Sequence, residues 1–124
     1  LSLLRSVSGL LFLEHGLQKI LHFPPSSMAG AMGGHPPWFL APAGYIELIG
    51  GALLLIGLLT RVAAFICSGE MAFAYFIAHA PRSPFPANNQ GDAAILFCFV
   101  FFFIIFAGSG AISVDAVLFK KKMI

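Results

Sequence analysis

From Ala93 to Ala107 the chain offers fifteen consecutive side chains without a charge or an amide, six of them phenylalanine, and no face that could turn to water. A helix that is apolar all round must be enclosed by protein or by lipid. The rest of the chain cannot supply a water-soluble enclosure, because apolar types make up 59% of its 124 residues, charged types only 10%, and the mean hydropathy is +0.92. The bilayer is therefore the expected solvent.

Apolar runs and their breakers predict an all-α membrane protein, a bundle of four transmembrane helices over approximately 2–21, 38–59, 61–79 and 91–107. At roughly 20 residues per crossing, four crossings and their loops nearly exhaust one domain of 1–124, which leaves no room for a soluble catalytic domain. The first helix stops at His22-Phe23-Pro24-Pro25. Arg5 and the later Ala29-Gly30-Ala31 imitate a cleaved signal peptide, but Glu14, His15 and Lys19 interrupt the apolar stretch such a peptide needs, so the segment is expected to be retained. The Pro-, Gly- and Ser-rich stretch 23–37 reads as an ordered loop or interfacial turn, with Trp38 and Phe39 at the water–lipid boundary. Thr60-Arg61 is so tight a connection that the third helix must return antiparallel beside the second. A second polar loop, 81–90, precedes the fourth helix.

Basic residues give the orientation. Arg5, Arg61 and Lys120 to Lys122 fall on one face and only Lys19 and Arg82 on the other, so both termini and the Thr60-Arg61 turn are expected in the cytoplasm. The lysine run reads as a membrane-surface anchor, and a net charge of +2 gives no reason to expect a nucleic-acid partner. Gly44, Gly50, Gly51 and Gly57 suit close helix approach in lipid. Cys67 and Cys98 read as buried small hydrophobes, with a disulfide between adjacent helices as the alternative.

Against this background the ionisable residues inside the predicted spans stand out, since charge in a membrane is costly and marks a site by default. Counted from the outer helix ends, Glu14 lies about 11 Å deep and Glu47 and Glu70 about 14 Å deep, so three carboxylates are expected at one level. His15 and Lys19 share a face with His22, and His79 and Asp92 flank the second outer loop. The expected site is a polar recess in the outer half of the bundle, closed by carboxylates at mid-depth. Three roles stay open for it: an ion pair of Lys19 with Glu47 or Glu14 that locks helix register, a pocket for a quinone-like head group, and a proton relay. No Glu-x-x-His occurs and Glu14 and His15 point about 100° apart, which disfavours a metal. His15 and His79 differ in depth by about 9 Å, which disfavours haem. No nucleophile elbow, phosphate-binding loop or dinucleotide fingerprint is present. Asn88-Asn89 with Gly91 reads first as turn chemistry.

The stretch Leu10-Leu11-Phe12-Leu13-Glu14-His15-Gly16-Leu17-Gln18-Lys19, then Tyr45-Ile46-Glu47-Leu48-Ile49-Gly50-Gly51 and Gly57-Leu58-Leu59-Thr60-Arg61, resembles the DoxX family of small membrane proteins. Phe85 to Asp92 is similar to that family's segment before its last helix. The resemblance implies a four-helix bundle in the bacterial inner membrane, associated with redox or oxidative-stress systems. It carries over His15, Gln18, Lys19, Glu47, Gly50, Gly51, Thr60, Arg61 and Asn89 as motif positions without assigning them catalysis; Glu14 and Glu70 rest on depth alone.

Three functions follow as expectations. The first is an accessory subunit of a membrane redox complex, whose recess (Glu14, His15, Gln18, Lys19, Glu47, Glu70, His79, Asn89, Asp92) contacts a quinone. The second is a small quinone-dependent oxidoreductase subunit, less favoured because no sequence feature supplies a redox cofactor. The third is a structural or assembly protein that meets its membrane partners through Phe99, Phe102, Phe103 and Phe106.

Overall fold

The structure, a computed structural model, describes residues 1–21, 37–86 and 91–118. Expectations for His22, for the first outer loop, for Asn89 and for the lysine run at 120–122 fall outside the described residues. Within them the chain is helical, with no strand. Helix α1 spans Ser2–Leu21, α2 Pro37–Ile56, α3 Thr60–Ala74, α4 Asp92–Ala107 and α5 Val114–Leu118.

Two boundaries differ from the sequence reading, and each has a local cause. Helix α2 stops at Ile56 rather than near Leu59, because Gly57 turns to φ 76° and Leu59 to φ 50°, left-handed geometry that ends a helix. A side chain at Gly57 would also run into Ser113 and the Arg5 guanidinium. Helix α3 is α-helical only to Ala74 and then widens into a π turn, Tyr75–His79, and a 3-10 turn, Ala80–Arg82. Pro81 explains the widening: it donates no backbone bond, and its ring would strike the carbonyl four residues back in a regular helix. The short α5 has no counterpart in the sequence reading.

Helix α1 packs along α2, and α3 along α4, with α2 on α3 joining the two pairs and a lighter contact between α1 and α4. Both hairpin partners of α2 run antiparallel to it. Gly9 meets Leu54 and Leu55, whereas Gly51 meets Leu13, so numbers rise on one helix as they fall on the other. On the next seam Gly50 faces the Cys67 sulfur. The adjacent glycines of the Glu-x-x-Gly-Gly element thus serve two different neighbours, Gly50 admitting α3 and Gly51 admitting α1. A Cβ on Gly51 would stand 2.6 Å from the Leu13 backbone nitrogen, and backbone cannot swing aside as a side chain can.

Phe12, Leu54, Phe101 and Ile104 are buried at the centre. Phe12 meets Phe101 edge-on at 4.9 Å between ring centroids and Phe97 at 5.4 Å, which ties α1 to α4. The phenylalanines of α4 divide accordingly: Phe101 points inward, while Phe99, Phe102, Phe103 and Phe106 are exposed. Exposed Leu3, Leu10, Phe65, Phe76 and Ile112 extend this apolar exterior to the other helices. Among the described residues one helix, Thr60–Ile77, is long and apolar enough to cross a membrane; the apolar stretches Ala41–Ile56 and Asp92–Ala107 are shorter.

The Gly51→Ala variant is expected to lose about 1–3 kcal/mol of stability through overpacking. Gly69→Ala, inside α3 at a position with nothing within 4 Å, should melt no lower than the wild type, because alanine is the better helix former. Thermal unfolding of both in detergent makes the comparison.

Candidate functional site

Three of the expected site residues come together. Lys19 Nζ donates to Glu47 Oε1 at 2.7 Å, with the lysine side chain 10% exposed and the carboxylate 1%. The lysine stem crosses α2 over Gly44, where any side chain would obstruct its Cβ. Glu70 joins from α3. Glu47 precedes Gly50 by one turn and Glu70 follows Cys67 by one turn; since Gly50 and Cys67 touch on antiparallel helices, both carboxyls are carried toward the same end. Glu70 is 7% exposed, its carboxyl faces the Glu47 carboxyl and the Lys19 charge, and no N–H or O–H group donates to either of its oxygens. Toward the Arg5 end, the rings of Phe12, Phe97 and Phe101 close the space below the cluster.

The remaining expected residues are not part of this cluster. Glu14 is exposed, which corrects the expectation of a third carboxylate in a shared recess. The buried stripe of α1 is Arg5, Ser8, Gly9, Phe12 and Gly16; at 100° per residue Glu14 stands about 200° from Phe12, on the opposite face. Depth alone had placed it, and depth carries no information about direction. His15 is exposed, donates from Nδ1 to the Leu11 carbonyl at 2.8 Å, and rests its ring edge-on against Phe97 at 5.8 Å. Gln18 is half-buried. His79 is half-buried and stacked on Tyr75 at 6.3 Å, the two ends of the π turn. Asp92 is exposed in the first turn of α4, where its charge complements the helix dipole. Among the described residues no three His, Cys, Asp or Glu side chains group as metal ligands. Both cysteines are free thiols, and Ser68 Oγ, on the α3–α4 seam, donates to the Cys98 carbonyl at 2.8 Å.

A second polar cluster, which the sequence reading did not contain, closes the opposite end of the bundle. Arg5, counted above as a loop charge, is 2% exposed. Its Nε donates to the Leu54 carbonyl at 2.9 Å, Nη1 to the Ser109 carbonyl, and Nη2 to the Ile112 carbonyl at 3.0 Å and to Ser6 Oγ at 2.8 Å. Asp115, fully buried, accepts the Leu59 and Thr60 backbone N–H groups at 2.8 and 2.9 Å, capping α3 from a helix 55 residues away in sequence. Arg61 Nη1 donates to the Ile105 and Phe106 carbonyls at 3.1 Å, satisfying the C-terminal end of α4. Only the local part of this arrangement was visible in sequence: Ser113, whose Oγ accepts the Ala116 N–H at 3.0 Å, precedes Asp115 as a helix-start signal.

The DoxX family model matches residues 1–80, about two-thirds of the chain, including the Lys19, Glu47 and Glu70 positions. This chain belongs to the DoxX family. DoxX proteins are membrane proteins, in keeping with the apolar exterior and the membrane-capable helix Thr60–Ile77. A Haemophilus influenzae protein named only as uncharacterized is 44% identical over 98% of this chain and 92% of its own length. The Bacillus subtilis protein named "Putative oxidoreductase CatD" is 29% identical over 97% of this chain and 87% of its own. No solved structure matches the chain. The residues on which the resemblance was read have distinct places in the fold: Lys19 and Glu47 form the buried pair, Gly50 and Gly51 lie on the two seams, and Thr60 and Arg61 form the turn held by Asp115 and the α4 terminus.

Replacing Asp115 by Ala strands the buried Thr60 N–H, at about 1–3 kcal/mol, and removes the acceptor of the part-buried Leu59 N–H. The variant is expected to melt several degrees lower and to show faster amide exchange at Leu59 and Thr60. Asp115→Asn, which keeps one acceptor, should fall between it and the wild type.

Proposed function

We propose that this DoxX protein is an accessory subunit of a redox system in the bacterial inner membrane, a four-span bundle with both termini in the cytoplasm whose Lys19–Glu47–Glu70 cluster contacts a quinone head group. The observation that carries the proposal is a charged pair and an unpartnered carboxyl buried between apolar helices. A stability role alone needs only the pair, and a buried pair is weak evidence for stability in any case. The extra carboxyl is a hydrogen-bonding group in search of a polar partner: ionised, it accepts from a quinol hydroxyl, and protonated, it donates to a quinone carbonyl.

The orientation is supported by Arg5 and Arg61 lying at the same end of the bundle, with Lys120, Lys121 and Lys122 following α5 in sequence. Helix α1, at 20 residues, reaches about 30 Å, the thickness of a hydrocarbon core. Redox association is supported by the oxidoreductase name of the Bacillus subtilis relative. That name also favours a second reading, in which the chain is itself a small quinone-dependent oxidoreductase subunit; a visible or flavin-like absorbance spectrum in protein purified gently from native membranes would select it. The partner subunits would meet the exposed Phe99, Phe102, Phe103 and Phe106 face of α4.

Glu47→Gln is expected to weaken binding of a quinone analogue at least tenfold, about 1.4 kcal/mol, while the protein remains in the membrane. Unchanged affinity by titration in vesicles would remove the quinone from the account. Replacing Phe99, Phe102, Phe103 and Phe106 together by Leu preserves apolarity but not shape, and is expected to reduce the yield of co-purifying membrane subunits; undiminished yield would place the partner surface elsewhere.

A further inference from the structure

Two carboxyl groups and one ammonium meet in the buried cluster, and the charges do not balance. Glu47 is matched by Lys19 at 2.7 Å. Glu70, 7% exposed, faces the Glu47 carboxyl and receives no N–H or O–H donor on either oxygen. No further cation reaches it from the surrounding helices among the described residues. From α1 only Lys19 faces it, since His15 is turned to Phe97. From α2 it meets Glu47; on its own helix the nearest ionisable group is the Cys67 thiol, one turn away. Helix α4 contributes Asp92 at its exposed start and Cys98, whose sulfur lies beside Ser68. Two ionised carboxylates with one ammonium would leave a net charge of −1 in an apolar interior, which like-charge repulsion and desolvation both oppose.

We propose that Glu47 and Glu70, beside Lys19, form a proton-binding site that carries one exchangeable proton across the two carboxyls. The missing unit of positive charge is a proton rather than a metal cation, because an ion such as sodium would need several more oxygen ligands and would sit next to the Lys19 ammonium. With the proton in place the cluster is neutral, and Glu70 turns from an unpartnered acceptor into a hydrogen-bond donor toward Glu47. The proton is a property of the pair, not of either residue. This inference goes beyond the quinone reading and does not depend on it, since the charge count is the same with or without a ligand.

Charge balance makes a different forecast for each variant. Infrared spectroscopy of the full chain in sodium-free lipid vesicles at neutral pH resolves the C=O stretch of a protonated carboxylic acid from ionised carboxylates. The wild type is expected to show one such buried acid. Glu70→Gln removes it, and so does Glu47→Gln, because Glu70 then ionises to pair with Lys19. Lys19→Met is expected to about double the band, since both carboxyls then take protons. Glu14→Gln, on the opposite face of α1, should leave it unchanged. A wild type without the band, or a band that survives Glu70→Gln, would overturn the proposal, as would loss of the band on adding sodium at fixed pH. If the Glu70 variant does not fold, carbon-13 glutamate in the wild type decides: the band is expected to shift, and an unshifted band contradicts the assignment. Loss of quinone-analogue affinity with the acid band intact, or the reverse, separates this claim from the preceding one.

Discussion

In hydrocarbon there is no water to hydrogen-bond a stray polar group, so each one must find its partner within the protein or be neutralised. That constraint organises the molecule. Its exterior is leucine, isoleucine and phenylalanine, and its buried polar side chains are concentrated in two places. At one end Arg5, Asp115 and Arg61 are spent on backbone groups that helix termini leave unpaired. Toward the other end Lys19, Glu47 and Glu70 face one another, two carboxyls to one ammonium.

The contrast separates structure from function. The Arg5–Asp115 end joins the start of α1, the α2–α3 turn and the segment after α4, and its charged side chains are bonded mainly to backbone groups, while the buried Thr60 hydroxyl has no hydrogen-bond partner. Such a clamp defines the bundle. The Lys19–Glu47–Glu70 cluster is built differently: glycines at 44 and 50 bring helices close around it, aromatic rings close one side, and one carboxyl is left over. The proposals of a proton-binding site and of a quinone contact both rest on that remainder.

How much of this was legible in sequence depends on the range of the interaction. The helix positions follow from apolar runs and prolines, local signals read over single segments. The meeting of Glu47 with Glu70 was legible because the short turn between α2 and α3 sets their antiparallel register, so equal distance from the turn means equal depth. Lys19 was legible as a partner for Glu47 because an intramembrane charge has few alternatives. The misplaced Glu14 shows the limit of that reasoning: height came from counting, whereas the inward direction of α1 is set by Gly9, Phe12 and Gly16 against α2 and α4. The Arg5 contacts to Ser109 and Ile112 span more than a hundred residues, and nothing local announces them. Arg5 looked like an orienting loop charge because its composition is the same in either role.

The central claim is that lipid surrounds these helices and that Lys19, Glu47 and Glu70 are turned away from it. Spin labels placed singly at Leu10, Phe65 and Phe103, with Cys67 and Cys98 replaced by Ala, test it in native-lipid vesicles. Collisions are measured with oxygen, which dissolves in the bilayer, and with a water-soluble nickel chelate. Oxygen should dominate at all three positions; dominance of the chelate there would mean that water, not hydrocarbon, is the solvent of this fold.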